Sequence, residues 1–143
     1  MPQSNAQWAQ IGSSLWMGGA KRPELCFVRG SGSRLWDAEG REYLDFVGGW
    51  AVCGLGHSPA VVANTLTEQA STLLHCSPGY WNPPAILLAQ KLSSLSGFER
   101  VFIGTTGAEA NECAIKLARK HGASRKASKI VTTIDGFHGR TLA

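Results

Sequence analysis

The spacing of apolar residues along the chain predicts a small sheet in its first third. Two apolar stretches within residues 25–46 flank the segment 37–40, an Asp-Ala-Glu-Gly turn signal that ends on glycine. This pattern predicts a small antiparallel meander, or at least one hairpin. Residues 1–24 are weakly patterned and predict an extended arm or a short helix, which must dock elsewhere to be ordered.

Two helices are predicted in the middle of the chain, each with its own start signal. The first begins at Ser58-Pro59, with serine at the N-cap and proline at the first helical position. The second begins at Asn82-Pro83 and stops at Gly97. Apolar residues recur at a helical spacing behind both signals, so two amphipathic helices are expected here.

A glycine-rich junction separates the meander from these helices. Gly48 and Gly49 are followed closely by Gly54 and Gly56, a concentration that indicates a flexible connection. We therefore predict two structural units, which comprise residues 1–47 and 48–143.

The last third of the chain predicts a βαβ unit. The apolar run 101–103 predicts a short buried strand, and a helix follows from Ala108 to about His121, with Gly122 ending it. The run 130–134 predicts the next strand. Strand, helix and strand of these lengths predict parallel strands, so the fold class expected is α/β with a mainly parallel sheet.

Composition narrows the function classes. The chain has 143 residues, of which 43% are hydrophobic and 17% charged, as in globular domains. The net charge of +4 raises the question of nucleic acid, but no aromatic residue is interleaved with the bases between Lys116 and Lys129. We interpret those bases as a solvated helix face and loop, and we predict no nucleic-acid partner.

Metal and membrane chemistry are not indicated either. The cysteines are scattered without a C-x-x-C pair, and neither H-E-x-x-H nor a Cys/His cluster with metal-ligand spacing is present. His57, His75 and His121 are therefore interpreted as structural or surface residues. Because no leader pattern opens the chain and no apolar run is long enough for a bilayer, we expect a cytoplasmic protein with reduced thiols and no membrane partner.

The two predicted strand ends carry the chemistry. In parallel sheets ligands bind beyond the carboxyl ends of the strands. Residues 105–108 (Thr-Thr-Gly-Ala) lead into a helix, whose first amides have no intrahelical acceptor and favour an anion such as phosphate. On the same edge, Phe137 offers a flat face, His138 a titratable group and Arg140 a fork that fits a carboxylate.

Each of these residues has an alternative explanation. Thr106 is equally well explained as a simple helix cap, Phe137 as a core residue and Arg140 as a partner in a surface ion pair. Together, however, a phosphate turn, a ring-stacking face and a carboxylate fork describe a pyridoxal phosphate cofactor that holds an amino acid.

Two motifs carry a resemblance to a known family. Residues 106–119 (TGAEANECAIKLAR) and 137–142 (FHGRTL) resemble the class III aminotransferases, which have the fold type I of pyridoxal-phosphate enzymes. Residues 35–46 and 54–57 agree with the resemblance, which covers about residues 25–143. Within the class, the sequence looks most like the acetylornithine and succinylornithine aminotransferases.

The resemblance implies a role for each residue of these motifs. Thr106, Gly107 and Ala108 would hold the cofactor phosphate, while Phe137 would stack on the pyridine ring with His138 close beside it. The substrate-binding residues would be Arg140, which takes the α-carboxylate of the amino donor and then that of 2-oxoglutarate or glutamate, and, as a weaker transfer, Tyr80.

The resemblance also implies how these residues fit into a whole enzyme. Residues 1–47 would be an N-terminal arm and meander of the small domain, and 48–143 the incomplete start of the large cofactor-binding domain. No catalytic residue is expected within these residues, because the family's Schiff-base lysine and the aspartate that pairs with the pyridine nitrogen lie downstream of the last motif. The full-length parent is expected to be a homodimer in arginine metabolism.

Three features depart from the family's pattern. Thr105 and Thr106 stand where relatives commonly have Asn-Ser, and the family's Gly-His-x-His-Pro is one residue shorter at 56–59. Ala20 occupies the region where many relatives place a substrate-contacting tyrosine.

Two further readings stay open on the sequence. One is a non-catalytic binding or interaction module, since a sheet of two recognisable strands leaves an open edge. The other is a 4-aminobutyrate or ornithine aminotransferase of the same class.

Overall fold

The computed structural model describes residues 4–19 and 21–141, so the departure at Ala20 and the motif's Leu142 lie outside the described residues. The chain divides into two compact units, Met1–His75 and Cys76–Ala143. The first unit contains α1 (Asn5–Leu15), β1 (Phe27–Ser31), β2 (Arg34–Asp37), β3 (Glu42–Leu44), α2 (Gly48–Ala51) and α3 (Ala60–Thr72). The second contains α4 (Pro83–Ser96) and α5 (Gly107–Ala123). The predicted domain boundary between residues 47 and 48 stays a prediction.

The predicted meander is confirmed. β1, β2 and β3 form an antiparallel sheet in that order. A two-residue turn joins Ser31 to its partner Arg34, and Gly32 within that turn has a φ of 54°, which glycine adopts without strain. Trp36 pairs with Glu42 across the second turn, which contains the predicted 37–40 segment.

A buried carboxylate joins α1 to this sheet. The side chain of Asp37 is only 1% exposed. Its Oδ2 accepts hydrogen bonds from Asn5 Nδ2 and from the Tyr43 hydroxyl, each at 2.9 Å, and its Oδ1 accepts from the backbone amides of Glu39 and Arg41. The segment before the sheet is therefore a helix that docks through Asn5, one of the two forms predicted for it.

This network predicts that the first unit is sensitive to acid. Burial alone would raise the pKa of Asp37, but the hydrogen bonds from Asn5, Arg41, Tyr43 and Glu39 outweigh it and hold the pKa below the ordinary value. A carboxyl whose pKa is lowered on folding contributes stability above its unfolded pKa of about 4, and that stability is lost as the pH falls through the folded value.

Asp37→Asn is therefore expected to lower the melting temperature of the intact protein at pH 7 and to flatten its decline below about pH 4. The check is the melting temperature of both proteins measured between pH 2 and 7. If the melting temperatures of the two proteins fell equally at acid pH, the protonation of Asp37 would not be linked to folding.

A second carboxylate anchors the predicted glycine junction. Asp45 Oδ1 accepts from the amides of Val47 and Gly48, each at 2.9 Å, while Oδ2 lies 2.6 Å from His57 Nε2. The Gly48 amide and the His57 ring are the main causes that lower the pKa of Asp45. His57 also exchanges two backbone hydrogen bonds with Gly32, so its role in this structure is structural, as its isolated position in the sequence indicated.

The junction itself is a left-handed turn rather than a flexible link. All four residues of α2 have positive φ values, and Trp50 and Ala51 adopt them, at 65° and 62°, although they are not glycines. Left-handed backbone costs roughly 1–2 kcal/mol for each such residue. Asp45 accepts from the Val47 and Gly48 amides at the entry to this turn.

The start predicted for the first middle helix is wrong by one residue. Pro59, not Ser58, is the N-cap of α3, and no side chain caps the helix. Ser58 has a φ of 52°, a left-handed conformation that a capping serine does not have, because the preceding His57 is held in its bridge to Gly32.

The second middle helix is confirmed at both ends. Asn82 caps α4 by accepting from the Ala85 amide at 3.1 Å, with Pro83 at the first helical position. Gly97 ends the helix in a left-handed conformation with a φ of 75°.

The two strands predicted in the last third are not formed. Residues 101–103 and 130–134 are without regular secondary structure, and in the described part of the chain neither run has a ladder of backbone hydrogen bonds with a neighbour. Val131 and Ile134 are 94% and 93% exposed. An apolar run indicates extended backbone that needs burial, but a strand also requires a partner, and these segments do not pair with each other.

The helix between these segments is longer than predicted. α5 runs through to Ala123, so Gly122, predicted as its stop, lies inside it. Gly122 is buried, and a Cβ there would lie 2.7 Å from the Ala127 carbonyl oxygen. The chain after the helix folds back onto Gly122. This close contact explains the presence of a glycine at position 122 better than a helix stop does.

The two units expose much apolar surface. No hydrophobic residue in the described ranges is buried, and Phe46, Trp50 and Trp81 are almost fully exposed. The chain exposes 12745 Å², whereas two separate compact units of about 8 and 7 kDa would together expose roughly 8,600 Å². An exposed apolar surface of this extent is typical of a surface that packs against other protein.

No helix in residues 4–19 and 21–141 combines the length and the apolar character that crossing a membrane requires.

Candidate functional site

The turn predicted to bind phosphate opens α5 with a capping box. Thr106 is the N-cap, and its hydroxyl accepts from the Glu109 amide at 3.2 Å. In return, Glu109 Oε2 accepts from the amides of Thr105 and Thr106, at 2.5 and 3.3 Å. The helix is therefore capped by Thr106, which was the simpler of the two explanations for this threonine.

The capping box leaves part of the helix N-terminus open. Glu109 and Thr106 satisfy the amides at both ends of the first turn, but those of Gly107 and Ala108 have no acceptor in the described part of the chain. A Cβ added to Gly107 would meet no atom within 4 Å. Two free amides, an open approach and the helix dipole together suit an anion, and the Thr106 hydroxyl retains a proton to donate.

The segment 136–140 lies against this same helix end. A Cβ built on Gly139 would stand 2.7 Å from Ala108 Cβ, and the φ of Gly139 is 111°, a conformation open to glycine. Asn111 Nδ2 donates to the His138 carbonyl oxygen at 3.1 Å. The two motifs that sequence analysis expected at one sheet edge therefore meet, although the sheet itself is not formed.

The three predicted site residues of this segment differ in their exposure. Phe137 is 77% exposed, so its ring is available for stacking and is not a core residue within this unit. Arg140 is exposed and forms no ion pair with any described residue. His138 is half-buried. Neither a buried Phe137 nor an ion pair of Arg140 is observed within the described residues, and the roles of both residues stay predictions.

Tyr80 has no observed contact with this cluster within the described residues. It lies in the loop before α4, is exposed, and donates its backbone amide to the Ser77 carbonyl oxygen at 3.2 Å. No hydrogen bond or ring contact in the described residues joins Tyr80 to the start of α5. Its substrate-binding role stays a prediction.

Sequence reasoning missed three residues of the site. Glu109 was not among the predicted site residues, although Thr106-x-x-Glu109 is the sequence signature of a capping box. The only hint in the sequence for Gly139 was that it is a glycine. Asn111 had none, because a hydrogen bond across 27 residues leaves no local pattern.

Glu109→Ala is expected to lower the free energy of unfolding of the intact protein by about 1 kcal/mol, because two amides at the start of α5 lose their acceptor. Glu109→Gln keeps an acceptor oxygen and should lose less than half as much. Urea unfolding checks both. Equal losses would show that the charge, and not the capping hydrogen bonds, stabilises the turn.

The donor set fits the phosphate and ring of pyridoxal phosphate. Free amides at Gly107 and Ala108, a hydroxyl at Thr106 and an exposed aromatic face at Phe137 supply what each part of that cofactor needs. No group of three or more His, Cys, Asp or Glu residues within residues 4–19 and 21–141 is arranged to hold a metal ion.

Comparison with known proteins agrees on one family. The family model described as Aminotransferase class-III matches residues 17–143. Acetylornithine aminotransferase 2 of Bordetella bronchiseptica is 56% identical over 124 residues, which are 85% of this chain and 31% of that protein. Succinylornithine transaminase of Salmonella paratyphi B is 52% identical over 118 residues, 80% of this chain and 29% of that protein.

Solved structures show the same fold. N-acetylornithine aminotransferase from Stenotrophomonas maltophilia matches with a TM-score of 0.73 and 40% identity over 82% of this chain and 31% of that one. An ornithine aminotransferase from Toxoplasma gondii matches with a TM-score of 0.88 and 25% identity, over 99% of this chain and 34% of that one. The predicted α/β class is thereby confirmed, although the parallel strands are absent from the described residues.

The chain spans about a third of the length of these relatives. Within that third, the family description matches almost every residue, including both motifs on which the resemblance rested. The chain belongs to the class III aminotransferases, a family of pyridoxal-phosphate-dependent enzymes.

Proposed function

We propose that the protein containing this chain transfers the amino group of an acylated ornithine, N-acetylornithine first, to 2-oxoglutarate. The products are the corresponding semialdehyde and glutamate. The observation that carries this proposal is the contact between the segment 136–140, which carries Phe137 and Arg140, and the start of α5, where two amides are open. The identity with proteins named acetylornithine and succinylornithine aminotransferases supports the choice of donor.

In this proposal the start of α5 holds the cofactor phosphate. Thr106, Gly107 and Ala108 donate to it from the hydroxyl and the two free amides, and Phe137 stacks on the pyridine ring with His138 beside it. When bound, the cofactor supplies the electron sink and the carrier for the amino group. The chain's own contribution is to bind and orient it.

Arg140 selects the substrates. Its guanidinium binds the α-carboxylate of the amino donor bidentately, which leaves the distal amino group to reach the cofactor. The same guanidinium binds a carboxylate of 2-oxoglutarate in the second half of the reaction. Tyr80 is proposed as an additional substrate contact.

The remaining features of the proposal concern the whole enzyme. We infer a homodimer in the cytoplasm that serves arginine metabolism, with small-molecule amino and 2-oxo acids as partners. The exposed apolar surface of both units agrees with additional protein packed around them.

A comparison of amino donors tests the proposal. The intact protein is assayed for glutamate formation from 2-oxoglutarate with N-acetylornithine, N-succinylornithine, ornithine and 4-aminobutyrate. The acylated donors are expected to give a kcat/KM at least about 10-fold above the others. A preference for 4-aminobutyrate or free ornithine would instead assign the protein to a neighbouring activity of the same class.

A further inference from the structure

The segment that carries Phe137 and Arg140 lacks regular secondary structure. Residues 137–139 contain neither helix nor strand, and no ladder of backbone hydrogen bonds holds them in the described part of the chain. A site that stacks a ring and clamps a carboxylate nevertheless needs its groups held within about 0.5 Å. Something other than regular backbone pairing must therefore fix this segment.

Two contacts with α5 supply that constraint. Asn111 Nδ2 donates to the His138 carbonyl oxygen at 3.1 Å, between residues 27 apart in the sequence. The next residue, Gly139, approaches Ala108 so closely that a Cβ would lie 2.7 Å from Ala108 Cβ. The fixed atoms belong to the two residues that lie between Phe137 and Arg140.

Asn111 is also an unfavourable residue for its position. It is the fifth residue of α5, where asparagine has a lower helix propensity than alanine or the long straight side chains. Its half-buried side chain donates away from the helix, so local helix stability does not explain it. The residue serves the contact between the two elements.

We propose that Asn111 is a positioning residue, which holds Phe137 and Arg140 at a set distance from the phosphate donors of the same helix. Ala108 and Asn111 are one helical turn apart, so the open amide of Ala108 and the hydrogen bond from Asn111 to His138 belong to one rigid element. The inference rests on the proposed function for what Phe137 and Arg140 bind. The hydrogen bond between Asn111 and His138 is a property of the protein without cofactor.

Hydrogen–deuterium exchange of the intact protein without cofactor tests directly whether the Asn111–His138 hydrogen bond holds the segment 136–140. Asn111→Ala is expected to speed amide exchange in the segment 136–140 by about 10-fold, because the hydrogen bond that closes the segment is lost. Asn64→Ala, which removes an exposed asparagine from α3, is the matched control and should leave that segment unchanged. Unchanged exchange in Asn111→Ala would overturn the proposal.

Kinetics of the first half-reaction separate positioning from folding. Asn111→Ala is expected to lower kcat/KM for N-acetylornithine by about 10- to 100-fold at an unchanged melting temperature, as a displacement near 1 Å does in other sites. In an Arg140→Ala background the same substitution should change KM little, because the group it positions is gone. Full additivity of the two substitutions would overturn the proposal.

Gly139→Ala provides a second variant that reaches the segment from the other contact. The added Cβ meets Ala108 and strains the backbone at a φ of 111°, so exchange in segment 136–140 should rise at least as much as in Asn111→Ala. A wild-type protein that transfers no amino group would count against the proposed function alone, since the exchange results do not depend on it.

Discussion

Arg140→Ala is expected to lower kcat/KM for N-acetylornithine by about 30-fold or more, chiefly through KM. The substitution removes a charge-assisted, bidentate contact with the α-carboxylate, and losses of that kind amount to about 2–5 kcal/mol. Arg140 has no ion pair in the described ranges, so the loss is not confounded by a broken structural contact. The measurement is the single-turnover rate of the first half-reaction at varied donor concentration.

Two controls make the result specific. Arg119→Ala removes an exposed arginine from α5 with the same change of charge and should leave kcat/KM within about 2-fold. An amine donor that lacks an α-carboxylate should react equally well with wild type and Arg140→Ala. If the variant lost activity equally towards both kinds of donor, Arg140 would not be the carboxylate-binding residue.

Gly107→Asp is expected to raise the dissociation constant of pyridoxal phosphate by about 100-fold without destabilising the protein in the absence of cofactor. An acidic side chain in the first turn favours the helix, worth about 0.3–1 kcal/mol, because it complements the helix dipole. The same carboxylate repels a phosphate dianion and competes for the two open amides. Affinity and stability should therefore move in opposite directions.

Gly107→Ala is the control for side-chain volume. Since a Cβ at this position meets no atom within 4 Å, alanine should leave the dissociation constant within about 3-fold. Fluorescence titration with pyridoxal phosphate and thermal melting of the cofactor-free protein measure both quantities. A Gly107→Asp protein that binds the cofactor normally would place the phosphate elsewhere.

Local signals in the sequence predicted the elements that are stabilised locally. Asn82 before Pro83 predicted the start of α4, and Gly97 predicted its end, because both caps are interactions within a few residues. The meander was predictable for the same reason, since its turns join neighbouring strands. The start of α3 was mispredicted because Ser58 is held by a bridge from His57 to Gly32, a contact across 25 residues.

The strands at 101–103 and 130–134 show a different limit. Their apolar side chains indicate that these segments are to be buried, but a strand forms only where a neighbouring strand supplies backbone hydrogen bonds. In the candidate site the same limit applies to Asn111, whose partner lies 27 residues away. The open helix N-terminus at Gly107 and Ala108 was predictable because it is a local property, whereas its role in phosphate binding stays a prediction.

The most direct test of the central claim is a crystal structure of the intact protein with pyridoxal phosphate and glutamate. The phosphate is expected within hydrogen-bonding distance of the Gly107 and Ala108 amides and the Thr106 hydroxyl. The pyridine ring should lie on Phe137, and a glutamate carboxylate on Arg140. A phosphate bound away from the start of α5, or a carboxylate held by another cation, would contradict the site described above.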